Sequence, residues 1–223
     1  MIIKITKSIS DVLLDFDVIA FKMAISVNDS SHLEALINYY EELIEKSYTL
    51  EEVLEIKEIK AARNSYKALG KDPSRYRLAC ESLLRRLVKK NKLYRISDVV
   101  DLGNLLSIEL KRSTALLDFD KIKGDVYIRR GLESDIYEGI GRGIINVSNI
   151  PLYCDSEGAF GSPTSDTLRT AITADTKKLL LMIICFDKCD KEEIILKTKE
   201  MFKKHINVSS IETVEVIKES IWR

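Results

Sequence analysis

Apolar residues recur at helical spacing most clearly in the middle of the chain. Val99, Leu102, Leu106 and Leu110 repeat every three or four positions and predict a helix with one buried face. Ser97 precedes them as an N-cap that can accept from an orphan backbone N–H. Asp101 and Asn104 lie three apart and share another face. Polar groups on so apolar a helix need partners, and Asp101 is read as bracketing local backbone. After the helix come a polar break at 111–114, a short apolar piece at 115–117, a charged turn at 118–124 and a strand at 125–130.

Upstream, residues 2–5 and 18–27 read as strands, with a short helix at 8–16 between them. Asn28-Asp29 is a turn signal. Ser30 or Ser31 opens a helix to about Lys46, with Leu33, Leu36, Ile37 and Tyr40 on one face. Thr49 and Glu52 have capping-box spacing and start a long helix to about Leu69. Gly70 suits a helix end and Pro73 a new start.

Downstream the pattern becomes β. Gly139, Gly141 and Gly143 alternate in a tight turn or bulged hairpin rather than a dinucleotide fingerprint, because no strand–turn–helix frame surrounds them. Residues 151–154 read as a strand. Residues 158–175 form a polar segment too long for an ordinary connection. Residues 178–186 are almost continuously apolar and predict a central buried strand. Asp190 and Glu193 cap a helix to about His205, and 210–217 reads as a last strand. The expected fold is α+β: a β-sandwich flanked by helices, with an N-terminal α/β appendage over 1–62 and a main domain over 63–223, the two forming one compact unit.

Charge narrows the functions. The 223 residues hold 35 Lys plus Arg and 35 Asp plus Glu, so bulk charge does not make the chain a polyanion binder. A local basic patch remains compatible with RNA. One runs from Arg63 through Lys71, Arg75, Arg77, Arg85 and Arg86 to Lys90, with Tyr66 and Tyr76 interleaved. Its functional reading is an RNA phosphate surface with stacking aromatics; its plain reading is a solvated helix face. Arg75 and Arg77 stand out because they sit in an irregular loop. No apolar run approaches the roughly 18 residues of a membrane span, and the N-terminus lacks a secretory pattern. Four cysteines make no disulfide framework, and Cys185 and Cys189 lack a second ligand pair for zinc. No metal or cofactor is expected, and the setting expected is the cytoplasm.

Two separated motifs carry a family resemblance. VDLGN, LLSIEL and DFDKIKG in the central stretch, and GAFGSPTSDTLRTAITADTKKLLL further on, resemble the B3/B4 module of the phenylalanyl-tRNA synthetase beta subunit. The likeness runs from about Arg63 to Cys185 and is nearest to free-standing B3/B4 proteins, which carry PSRYR and GSPTSD together. It implies a B3/B4-like sandwich and the hydrolysis of tyrosine wrongly esterified to phenylalanine tRNA. That reaction is attack of water on an activated ester, which needs a positioned water and oxyanion donors more than a strong nucleophile.

Asn104 matches the Asn of the family's editing pocket. Thr164, Ser165 and Asp166 join it as candidate catalytic groups, with Ser162 and Thr173 supplying further hydroxyls. Asp166 is assigned to the substrate ammonium. Gly103, Ala115, Gly161, Arg169, Thr170 and Met182 are candidate substrate contacts, with Arg169 on a phosphate or ribose edge. Arg75, Arg77, Arg85 and Arg86 are the candidate RNA contacts. Thr164–Asp166 also reads as plain turn chemistry. The family's pocket Thr falls on Gly103, its His on Ala115, and the Glu that reads the tyrosine hydroxyl on Met182. Without that acceptor a phenol is not the expected side chain.

The resulting expectation is an aminoacyl-tRNA deacylase acting in trans. The alternative is a non-catalytic module binding tRNA, other RNA or an amino acid. DNA and a complete ligase are not expected; a cognate synthetase is kept as a possible partner, without support in the sequence.

Overall fold

The computed structural model describes residues 1–219. In chain order the elements are β1 (Ile3–Ile5), α1 (Lys7–Ser10), β2 (Asp17–Ile25), α2 (Glu34–Ser47), α3 (Leu50–Glu55), α4 (Lys57–Ala68), α5 (Ala79–Val88) and α6 (Asp98–Leu110). Then follow β3 (Thr114–Asp118), β4 (Val126–Arg130), β5 (Ile136–Gly139), β6 (Gly143–Asn146), β7 (Pro151–Asp155) and β8 (Gly158–Gly161). The chain finishes with β9 (Lys178–Cys185), α7 (Lys191–His205), β10 (Val208–Thr213) and β11 (Val216–Lys218).

The central run of the sequence is also central in space. β9 pairs antiparallel with β2 on one side and β3 on the other, in a sheet ordered β10-β2-β9-β3. Its side chains alternate between two cores, as strand period demands. Leu180, Met182 and Ile184 point into an apolar layer shared with Ile3, Ile128, Leu152 and Phe160. Those partners belong to a second sheet, ordered β11-β1-β4-β7-β8. Leu179, Leu181, Ile183 and Cys185 point the other way, against Ile37, Leu84, Leu102 and Phe202 from the helices. The architecture is therefore an α+β sandwich with helices on one outer face. The N-terminal third supplies β1 and β2, each interior to a sheet.

Two elements differ from the sequence expectation for physical reasons. The Thr49 capping box forms, its Oγ1 accepting from Glu52 N at 3.2 Å while Glu52 Oε2 accepts from Thr49 N at 2.7 Å. The helix then breaks at Ile56, whose ψ of 126° is extended. Val53 and Ile59 are both buried in the helix-side core. On one continuous helix they would sit about 120° apart, so the break lets both face the same way. The last predicted strand splits as well. β10 pairs with β2, and β11 pairs with β1 in the other sheet. The chain changes sheets at Val214, which donates to Ala20 O, and Glu215, which accepts from Ile3 N.

α6 is seated as its sequence implies. Ser97 Oγ accepts from Val100 N, and both Asp101 carboxylate oxygens accept from Ile96 N. A Cβ on Gly103 would come within 2.3 Å of the Leu116 side chain, so this glycine lets α6 lie close against β3.

Candidate functional site

The polar segment after β8 folds into a tight bend fastened by hydroxyls. Ser162 N donates to Ser165 O, and Ser162 Oγ accepts from Thr164 N and Ser165 N. Tyr137 of β5 donates from its hydroxyl to Ser162 Oγ at 2.8 Å and Ser165 O at 2.6 Å. The buried Tyr66 hydroxyl of α4 shares a hydrogen bond of 2.9 Å with Thr164 Oγ1. The β5–β6 hairpin holds the far side, with Ile140 N donating to Asp166 O.

Asp166 is the chemically unusual member of this bend. Its Oδ1 is closed off from solvent and has no hydrogen-bond partner, although the residue as a whole is only partly buried. Burial pushes its carboxyl up to about 8, because the charged form loses water without gaining an opposite charge. A Cβ on Gly161 would sit 2.6 Å from Asp166 Oδ1 and 2.8 Å from the Tyr153 ring, so the glycine is what allows this close approach. The Tyr153 hydroxyl is also buried without a partner, as are Thr167 Oγ1 and Thr170 Oγ1 in the short helical turn that follows the bend. Unsatisfied buried polar atoms are rare enough that such a group calls for a ligand, water or a chemical role.

A cleft of about 350 Å³ lies beyond the start of α5, lined by Ala79 but by no residue of the bend. Leu83 and Arg86 of α5, Tyr94 and Ile96 of the following loop, Asn104 of α6 and Arg142 at the β5–β6 hairpin tip line it. The Arg86 guanidinium lies 4.0 Å over the Tyr94 ring, and its Nε donates to Lys92 O. Tyr94 remains 67% exposed, so most of its surface stays available. The cleft and the bend share a wall, since Ala79 N at the start of α5 donates to Pro163 O at 2.8 Å.

A family model for the B3/4 domain matches residues 61–215. The chain belongs to the B3/4 domain family. The crystal structure of an N-terminal fragment of the phenylalanyl-tRNA synthetase beta subunit from Pyrococcus horikoshii has the same fold, with a TM-score of 0.51 at 13% identity. The match covers 98% of this chain and 52% of that one, so this chain spans about half the length of the fragment. A search of curated proteins finds no match.

Within this B3/4 domain the expected site residues divide into separate surroundings. Asn104 faces the cleft. Thr164, Ser165, Asp166 and Gly161 gather at the bend, as described. Ala115 and Met182 stand directly opposite each other in the β3–β9 pairing, and both are buried in the layer between the sheets. Ala20 flanks Met182 on its other side, so two alanines leave width for the methionine. Gly103 meets Leu116 rather than an opening. Arg169, expected at a phosphate or ribose edge, is held instead by Asp155, with two hydrogen bonds of 2.9 Å.

The basic run is partly structural. Glu81, buried to 1% exposure, draws in Arg63 at 2.9 Å, with Arg77 at 3.9 Å and Arg85 at 4.0 Å. Lys71 is buried, donates to Asn146 O at 2.9 Å and lies 3.7 Å over the Tyr76 ring. Tyr66 is fully buried and cannot stack a base. Arg75 is the most open of the four candidate arginines, and Arg86 alone of them lines the cleft.

Tyr94, Arg142, Tyr137 and Tyr153 belong to the site or its support but were not singled out by sequence. Tyr94 follows the basic run closely enough for its spacing to have drawn attention; the other three carry no local signal. Among the described residues no group of three or more His, Cys, Asp or Glu is gathered for a metal. No described helix is long and apolar enough to cross a membrane.

Proposed function

We propose that this B3/4 domain hydrolyses the ester of a mischarged aminoacyl-tRNA in trans, within the cytoplasm. The observation that carries the reading is Asp166, a carboxyl raised to about 8 with an unpaired oxygen, at a bend bonded through Pro163 to Ala79 in the wall of the cleft. A base with a pKa near the working pH suits proton transfer from an attacking water. Asp166 then acts on the water rather than on the substrate ammonium. The Asn104 amide supplies a donor for the developing oxyanion. Arg86 and Arg142 suit the phosphates of an acceptor end, and the open Tyr94 ring suits a terminal base. Leu83 and Ile96 make the cleft fit for an apolar amino-acid side chain.

The test is ester loss from a panel of correctly and wrongly charged tRNAs. Selective turnover of one ester is expected, falling about 10²-fold or more in Asp166→Asn, with tRNA affinity retained. A rate that ignores this substitution removes Asp166 from the chemistry. A second reading, a binding module without catalysis, is favoured by the engagement of Ser162 and Thr164 with tyrosine hydroxyls. It predicts a salt-sensitive tRNA complex, weakened by Arg86→Ala, with every ester intact.

A further inference from the structure

Between the end of β9 and the start of α7, two cysteines meet beside a second cleft. Cys185 ends β9, and the chain bends through Phe186 and Asp187 to bring Cys189 back against it. Their sulfurs share a hydrogen bond of 3.4 Å. Cys185 is buried, whereas Cys189 is half-buried and lines a cleft of about 300 Å³. Lys57, Lys111, Arg112, Lys188 and Lys197 line the same cleft, against four carboxylates. Cys189 also lies just before Asp190, the cap of the 15-residue helix α7, whose N-terminus favours negative charge.

We propose that Cys189 and Cys185 form a peroxide-sensitive dithiol, in which Cys189 meets a small hydroperoxide in this cleft and Cys185 resolves the product to a disulfide. In the first step Cys189 gives up its proton and its sulfur attacks one peroxide oxygen. The O–O bond breaks, and the departing oxygen takes a proton to leave as water, or as an alcohol from an alkyl hydroperoxide. Cys189 is now a sulfenic acid, oxidised by two electrons. The Cys185 sulfur then attacks the Cys189 sulfur, the S–O bond breaks, and hydroxide leaves with the Cys185 proton as water. Closing the bridge brings the sulfurs from 3.4 Å to about 2.05 Å, a movement the non-helical residues between them can supply.

The electrostatics assign the same roles. The hydrogen bond shared with Cys185, helped by the Arg112 charge and opposed by burial, Asp187 and Asp17, brings the Cys189 thiol down to about 7. The Cys185 thiol is pushed up by that same bond and by burial. Cys189, the sulfur that reaches the cleft, is thus also the thiol that ionises more readily, and thiolates are the nucleophiles. Burial lifts Cys80 to about 12 and Cys154 to about 11, which makes them internal controls.

The experiment is intact-mass and free-thiol measurement on the full chain after a molar excess of hydrogen peroxide. The wild-type protein is expected to lose the mass of two hydrogens and to fall from four free thiols to two, with the bridge mapping to the peptide holding Cys185 and Cys189. Cys189→Ser is expected to keep all its remaining thiols, and Cys185→Ser to form a dimedone adduct on Cys189. The wild-type mass change tests the proposal even if a variant folds poorly. A wild-type chain that keeps four thiols overturns it. So does a sulfenic acid that never closes, or oxidation that is unchanged in Cys189→Ser.

Discussion

Asn104 and Met182 are both positions that the B3/B4 likeness assigns to one pocket, yet this chain gives them opposite surroundings. Asn104 stands on α6 and opens onto a cleft shared with Tyr94 and Arg142. Met182 stands on β9, between Ala20 and Ala115, and is closed within the apolar layer between the sheets. A Glu at the second position would be an unpaired charge in that layer unless a cavity came with it. Met182 thus leaves no polar group on this side of the layer, and the unpaired carboxyl oxygen of Asp166 lies at the bend instead.

The largest expected effect comes from reversing that change. Met182→Glu nearly conserves volume but places a carboxyl among apolar neighbours. It is expected to cost roughly 3–5 kcal/mol in denaturant unfolding at pH 8, and less at pH 5, where the acid can stay neutral. Met182→Leu is expected to cost under about 1.5 kcal/mol. Near-wild-type stability for the Glu variant would mean that water reaches this position.

Asp166 gives the next effect, and its sign follows from its raised carboxyl. The native protein holds the proton up to about pH 8, while the unfolded chain releases it near its ordinary value of 3.8. Stability tied to this group is complete below the unfolded value and is lost as pH rises toward 8. The slope is about 1.4 kcal/mol per pH unit. Asp166→Asn removes that slope: the two proteins should match near pH 3, and the variant should be more stable at pH 8. Parallel stability curves would show that the carboxyl is already charged in the native state.

Asn104→Ala tests the open half of the comparison. It should change stability by no more than about 0.5 kcal/mol, while lowering ester hydrolysis roughly tenfold or more. The smallest effects concern the arginines. Arg75→Ala with Arg77→Ala should lower the salt slope of tRNA binding by up to about two, without altering which ester is chosen. Arg86→Ala should weaken binding and loosen that choice, because Arg86 alone of the candidate arginines stands at the cleft.

Much of the fold was readable because the determining signals are local. Ser97, the Thr49–Glu52 box and the Asp190–Glu193 pair announce helix starts, and each cap forms. The apolar run of β9 announces a strand buried on both faces. The break at Ile56 and the change of sheet at Val214 depend on distant partners, so no local pattern marks them. The candidate site was legible in part for the same reason. Asn104 and the hydroxyl-rich bend were visible in their motifs. Tyr66, Tyr137 and Tyr153 converge on that bend from three separate elements, and only the fold brings them together. The structural share of the basic run was not legible, because Glu81, an acidic residue in it, is buried among three of its arginines.

Asp166 is the group proposed to accept a proton from water. The direct measurement is the pH–rate profile of ester hydrolysis by the wild-type protein, on whichever charged tRNA it selects, beside Asp166→Asn. The account predicts an enzymatic rate that climbs with pH and levels off above about 8, and a variant that is slower at every pH. A wild-type profile with no inflection near 8, or a variant that follows the wild-type curve, would contradict it.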